Sequence, residues 1–128
     1  MIVDTSAVLA ILFDEPDAER YARALAGAPR CRMSVANFLE AAVVLESRAG
    51  AAAGPDLDLL LERAPIELEP VTIEHAKAAR QAWRRFGRGN HPAALNFGDC
   101  FAYALAETTG EPLLFKGEDF TLTDIEPA

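Results

Sequence analysis

Met1-Ile2-Val3-Asp4-Thr5-Ser6-Ala7-Val8-Leu9-Ala10-Ile11-Leu12-Phe13 joins a short apolar run to a single acid, two hydroxyl residues and a second apolar run. Met1–Val3 reads as a buried strand that ends at Asp4. Thr5 or Ser6 then caps a helix that continues through Phe13. The same alternation recurs downstream. Asp14-Glu15-Pro16-Asp17 breaks the chain, and a helix follows until Gly27 and Pro29. Cys31-Arg32-Met33 is a strand candidate, and Ser34 caps a strongly apolar helix from Val35 to about Arg48. Small residues from Ala49 to Gly54 form a loop, and Pro55 and Asp56 start another helix. Ile66-Glu67-Leu68-Glu69 is a strand closed by Pro70. Thr72 opens a helix that Gly87 stops, and Asn96 to Thr109 is a further apolar helix ended by Gly110. Pro112-Leu113-Leu114-Phe115 is the last core strand. Strands alternating with helices imply an α/β fold with a parallel sheet covered on both faces. A functional site is then expected beyond the carboxyl ends of the strands, where Asp4 and the residues after Phe115 lie.

The 128 residues fit one domain, and no repeat, linker or low-complexity segment divides them. The apolar fraction of 51% is enough for a real core. The net charge of -8 excludes a surface that grips nucleic acid everywhere. Any such contact needs a local basic patch or cations over the acidic sites, and the acidic body also suits a basic protein partner. Cys31 and Cys100 have no metal-ligand spacing and read as two buried thiols. The run Ala7–Phe13 is too short to span a bilayer, and the amino terminus lacks a basic leader, so the expectation is a soluble cytoplasmic protein.

Three acids stand out by their isolation. Asp4 is the only charged residue from Met1 to Phe13, Glu40 from Met33 to Leu45, and Asp99 from Leu95 to Ala106. Burying a carboxylate without a partner costs several kcal/mol, so each needs an offset. Each has a plain explanation. Asp4 caps a helix, Asn96-Phe97-Gly98-Asp99 has the form of a capping box, and Glu40 shares a polar stripe with Asn37. Three such acids in three apolar elements are more simply explained by convergence on one cleft. Converging carboxylates repel unless a divalent cation joins them, and an all-oxygen site selects Mg²⁺ or Mn²⁺ over zinc. That chemistry suits phosphodiester hydrolysis.

Val3-Asp4-Thr5-Ser6-Ala7, Asn37-Phe38-Leu39-Glu40-Ala41-Ala42, Leu95-Asn96-Phe97-Gly98-Asp99-Cys100 and Leu114-Phe115-Lys116-Gly117-Glu118-Asp119-Phe120 resemble, in that order, the PIN-domain ribonucleases. More narrowly, the chain is similar to the VapC toxins of bacterial toxin–antitoxin pairs. The resemblance implies a PIN-like three-layer fold with about five parallel strands, and Mg²⁺- or Mn²⁺-dependent endonucleolytic cleavage of RNA. It assigns Asp4 and Asp99 as metal ligands, Glu40 as a further catalytic acid and Asp119 as a fourth, with Glu118 and Asp124 near enough in sequence to compete. Behind the acids it places Ser6, a hydroxyl that orients Asp4, and Asn96. Many PIN domains carry Ser or Thr three residues before the fourth acid; this chain has Lys116. The resemblance further implies a VapB-like antitoxin, a homodimer and a toxin–antitoxin hetero-oligomer, with no membrane partner.

Lys77, Arg80, Arg84, Arg85 and Arg88 concentrate five of the twelve basic residues. Arg84, Arg85 and Arg88 read as contacts to the RNA backbone; the alternative is a solvated helix face with cations near its carboxyl end. Trp83 reads as core or dimer interface, and His75 as a surface residue. Two rivals differ in kind. One is a phospho-acceptor aspartate, as in haloacid-dehalogenase-like phosphatases or receiver domains. The former expect an acid at Ser6, and the latter expect paired acids ahead of Asp4. The other is an inactive PIN-like scaffold that only binds a partner, against which the three intact acids speak.

Overall fold

The computed structural model describes residues 1–128. Its elements are β1 (Ile2–Val3), α1 (Thr5–Leu12), α2 (Ala18–Gly27), β2 (Cys31–Ser34), α3 (Val35–Ala49), α4 (Gly54–Arg63), β3 (Ile66–Glu69), α5 (Ile73–Phe86), α6 (Phe97–Thr109) and β4 (Leu113–Leu114). A short 3-10 turn at Ala51–Ala53 occupies the loop of small residues before α4. The strands form one parallel sheet in the order β3-β2-β1-β4.

The two-residue strands β1 and β4 are fixed because their side chains alternate between two apolar layers. Ile2 and Leu113 face a core made with Phe86, Tyr103 and Leu105 from α5 and α6. Val3 and Leu114 face the opposite core, with Tyr21, Met33, Leu45 and Leu57 from the α1–α4 side. Helices on both faces of a parallel sheet make the three-layer α/β fold. Cys31 and Cys100 are buried free thiols, and no helix is long and apolar enough to cross a membrane.

The sheet has four strands where about five were expected. The carboxyl-terminal tail supplies only a single bridge, Leu113 with Pro127. The Leu113 amide donates to the Glu126 carbonyl and the Ala128 amide to the Leu113 carbonyl, both at 2.9 Å. Pro127 sits between them with no N–H to offer a further strand, which blunts this edge.

Helix starts follow local chemistry. Ser34, Thr72 and Asn96 each accept a backbone N–H at the head of α3, α5 and α6. The cap of α1 is Asp4, not Thr5 or Ser6. Gly110 ends α6 in the left-handed conformation at φ 69°, which costs a residue without Cβ little. Trp83 is not core: about half of it is exposed.

The chain builds β1, β2 and β3 in one direction, then crosses through α5 and α6 to place β4 on the other side of β1. The reversal lies between β1 and β4. Crevices in open parallel sheets form at such points, beyond the strand carboxyl ends.

Candidate active site

At that crevice Asp4, Glu40, Asp99 and Asp119 line one open pocket of about 230 Å³. They come from four segments: the end of β1, the middle of α3, the first turn of α6 and the loop after β4.

Asp4 is buried, and its Oδ2 accepts two hydrogen bonds from Ser6, the amide at 3.0 Å and the hydroxyl at 2.5 Å. The Ser6 hydroxyl in turn accepts the Lys116 amide at 2.9 Å. One small side chain thus ties the end of β1 to the loop after β4 and fixes the Asp4 carboxylate. The Lys116 ammonium takes no part in this. It points to Glu15 and to Asp17, the latter at 2.9 Å.

Glu40 is held from α1. The Thr5 hydroxyl lies 2.5 Å from Glu40 Oε1 and 3.0 Å from the Asn37 carbonyl, and its single proton favours the nearer carboxylate. Asn37 is fully buried and donates to the Gly98 carbonyl at 2.9 Å, joining α3 to α6, while its Oδ1 has no partner. Gly98 makes room for the acid. A Cβ there would sit 2.0 Å from Glu40 Oε2 and 2.6 Å from its Cδ.

Asp99 is the third residue of α6 and closes a capping box. Asn96 Oδ1 accepts the Asp99 amide at 2.8 Å, and Asp99 Oδ2 accepts the Asn96 amide at 3.0 Å. The cap reading and the site reading of Asp99 therefore hold together, since one carboxylate oxygen serves the helix and the residue still lines the pocket. Asp119 is exposed, and buried Phe120 beside it, its ring tilted against that of Phe115 at 5.1 Å between centroids, anchors the loop that presents it. Its competitors lie elsewhere. Glu118 turns to Thr121, and Asp124 accepts from the Tyr103 hydroxyl at 2.5 Å and pairs with Arg85 at 3.2 Å.

The electrostatics record the convergence. Burial raises the Asp4 carboxyl to about 6, and the charge of Glu40 adds to this against the Ser6 hydrogen bonds. Burial raises Asp99 to about 8, with the charges of Asp4 and Asp119 contributing and the Asn96 amide opposing. A site that holds protons this tightly favours a cation in their place. No three acids, thiols or imidazoles stand close enough to cage an ion without help. The residues nevertheless fit a small hard cation. Mg²⁺ keeps most of its waters and needs one or two carboxylates, and every donor here is oxygen.

Arg84, Arg85 and Arg88 do not reach this pocket. Arg85 lies 4.7 Å over the Phe86 ring and pairs with Asp124. Arg84 is exposed on α5. Arg88 borders a larger apolar groove of about 620 Å³ with Trp83 and Phe97, which shares only Asn96 with the acid pocket. The larger groove lacks carboxylates, so the chemistry belongs to the smaller one. Thr5, Gly98 and Arg48 were not legible as site residues. Thr5 and Gly98 act through contacts far away in sequence, and Arg48 looks like an ordinary cation closing a helix.

The PIN domain family profile matches residues 1–126. Ribonuclease VapC of Mycolicibacterium smegmatis is 56% identical over 125 residues, spanning 98% of this chain and 97% of its own length. Ribonuclease VapC30 of Mycobacterium tuberculosis is 53% identical, spanning 98% and 95%. Among solved structures, the fold matches VapC20 of Mycobacterium tuberculosis, described as a sarcin-ricin loop cleaving toxin. The TM-score is 0.79 at 21% identity, over 99% of this chain and 97% of that one. A toxin–antitoxin complex from Klebsiella pneumoniae matches at TM-score 0.73 and 14% identity, over 96% and 92%. On sequence, fold and the order of its acidic motifs, the chain belongs to the PIN-domain family and, within it, to the VapC ribonucleases.

Proposed function

We propose that this chain is a divalent-metal-dependent endoribonuclease, the toxin of a VapBC-type pair. The observation that carries this reading is the meeting of Asp4, Glu40, Asp99 and Asp119 in one pocket, with Asp4 and Asp99 buried and their carboxyls pushed up to about 6 and about 8. The names of relatives more than half identical to it point the same way.

Mg²⁺ or Mn²⁺ held by Asp4 and Asp99 would supply charge neutralisation at the scissile phosphate and acidify the attacking water. The protein's part is orientation. Ser6 and the Asn96 amide fix the two ligand carboxylates, as partners behind a metal site do. Thr5 fixes Glu40, which accepts the proton of the attacking water. Asp119, on the exposed side, adds a further carboxylate to the pocket and would help to hold a divalent cation there. The acidic pocket also suits a basic side chain of a VapB-like antitoxin, which would occupy the place of the cation and substrate. Assembly as a homodimer and as a toxin–antitoxin hetero-oligomer belongs to the same reading.

The test is cleavage of total RNA by the purified chain, free of antitoxin, with Mg²⁺, Mn²⁺ or chelator. Wild type is expected to cut only with metal, and Asp4→Asn and Asp99→Asn to lose at least 100-fold in rate. Equal cutting by either variant, or cutting in chelator, overturns the proposal.

A further inference from the structure

The acid pocket has a second, non-acidic end. Along α3 it is lined by Glu40, Val44 and Arg48, one face sampled every four residues, with Leu9 of α1 opposite. Eight residues of helix put Arg48 roughly 12 Å from Glu40 along the axis. The pocket therefore runs from carboxylates, over an apolar strip, to a cation.

Only two cations line it, Lys116 and Arg48. The Lys116 ammonium is committed to Glu15 and Asp17. Arg48 enters none of the ion pairs of the fold. Its guanidinium instead lies 5.3 Å over the Phe13 ring, which holds the stem in place and leaves the donors free. A cation is favoured at any helix carboxyl end. That preference explains neither the seat on Phe13 nor the opening into the acid pocket.

We propose that Arg48 grips the substrate strand, its guanidinium engaging a backbone phosphate of single-stranded RNA beyond the one that is cut. Leu9 and Val44 would underlie the sugar and base between. This rests on the ribonuclease reading above. A planar guanidinium matches phosphate oxygens bidentately, and an apolar strip between two charged ends suits an unstacked nucleotide.

The test uses the full chain with Mn²⁺ and a cleavable single-stranded RNA oligonucleotide over a series of salt concentrations. Arg48→Ala is expected to raise KM about 5- to 20-fold with kcat within about 2-fold. It should also flatten the dependence of log(1/KM) on log salt by about 0.7, the loss of one phosphate contact on a single strand. Arg48→Lys keeps the slope and shows an intermediate KM. Arg63→Ala, a surface cation of α4 that also lacks an ion pair, leaves both unchanged. Unchanged KM and slope in Arg48→Ala overturn the assignment, as does a fall in kcat alone. An unchanged KM with weaker capture by the antitoxin gives Arg48 to the protein partner and overturns it too. Wild-type protein that cuts no RNA at all defeats the ribonuclease reading itself, a result separable from the others.

Discussion

The Thr5 hydroxyl meets Glu40 Oε1 at 2.5 Å, across the contact between α1 and α3. Thr5 follows directly on Asp4, so the backbone that places one acid also places the donor that aims another. Thr5 is buried, and replacing its hydroxyl by a methyl leaves Glu40 without its shortest hydrogen bond. Thr5→Val is expected to lower kcat 10- to 100-fold and to cost about 1–3 kcal/mol in chemical denaturation. Thr5→Ser, which keeps the donor, is expected to recover most of both. A Thr5→Val protein with wild-type kcat would show that the hydroxyl does not aim Glu40.

Gly98 separates activity from stability. Its missing Cβ is the space that the Glu40 carboxylate fills. In Gly98→Ala the clash falls on the far end of a flexible side chain, which swings away and gives up its Thr5 hydrogen bond at a cost of about 1–3 kcal/mol, while alanine returns up to about 1 kcal/mol to the helix. Cleavage is expected to fall at least 10-fold while stability falls by no more than about 2 kcal/mol. A larger loss of stability would mean that the backbone, rather than Glu40, yields.

The loop after β4 brings Asp119 to the pocket. Asp124 does not line it and is held instead by Tyr103 and Arg85. Asp119→Asn is expected to lower kcat about 10-fold or more. Glu118→Gln and Asp124→Asn should stay within about 3-fold, the latter at a cost of about 1 kcal/mol of stability from the weakened Tyr103 bond and the lost Arg85 pair. Equal losses in Asp119→Asn and Asp124→Asn would contradict this placement.

The metal-free protein should lose stability as pH rises toward 8. Asp4 and Asp99 bind protons more tightly folded than unfolded, at about 6 and about 8 against 3.8. Their contribution is complete below the unfolded value, and is lost as pH passes first about 6 and then about 8. For Asp4 alone this is on the order of 3 kcal/mol. Asp17, Glu67 and Asp124 have lowered values, so their contributions vanish in the opposite direction, below about pH 4. Thermal melts in chelator should therefore peak near pH 4 and decline from there to about pH 8. Mn²⁺ should raise the melting temperature more at pH 8 than at pH 5, where protons compete for the same oxygens. Asp99→Asn should flatten the upper limb of the profile, and an unchanged limb would remove Asp99 as its source.

Much of this protein is written locally. The parallel α/β order follows from short apolar runs alternating with capped helices, and Asp4, Glu40 and Asp99 stand out because each is a lone charge in an apolar stretch. An unpaired acid there carries a desolvation cost that any fold must answer, so its mark survives in one dimension. Nothing equivalent marks Thr5, Gly98 or Arg48, which are an ordinary helix start, a small residue in a first turn and a cation at a helix end. Their meaning lies in contacts across the fold: Thr5 with a carboxylate 35 residues away, Gly98 with the same carboxylate, and Arg48 with the ring of Phe13 and the far end of the acid pocket. The basic cluster shows the converse. Arg84, Arg85 and Arg88 are conspicuous in sequence, yet none of them lines the acid pocket. Burial and charge isolation are properties of a segment, and the chain alone determined those. Which donor meets which acceptor depends on how the helices cross the sheet, and only the tertiary structure decided that.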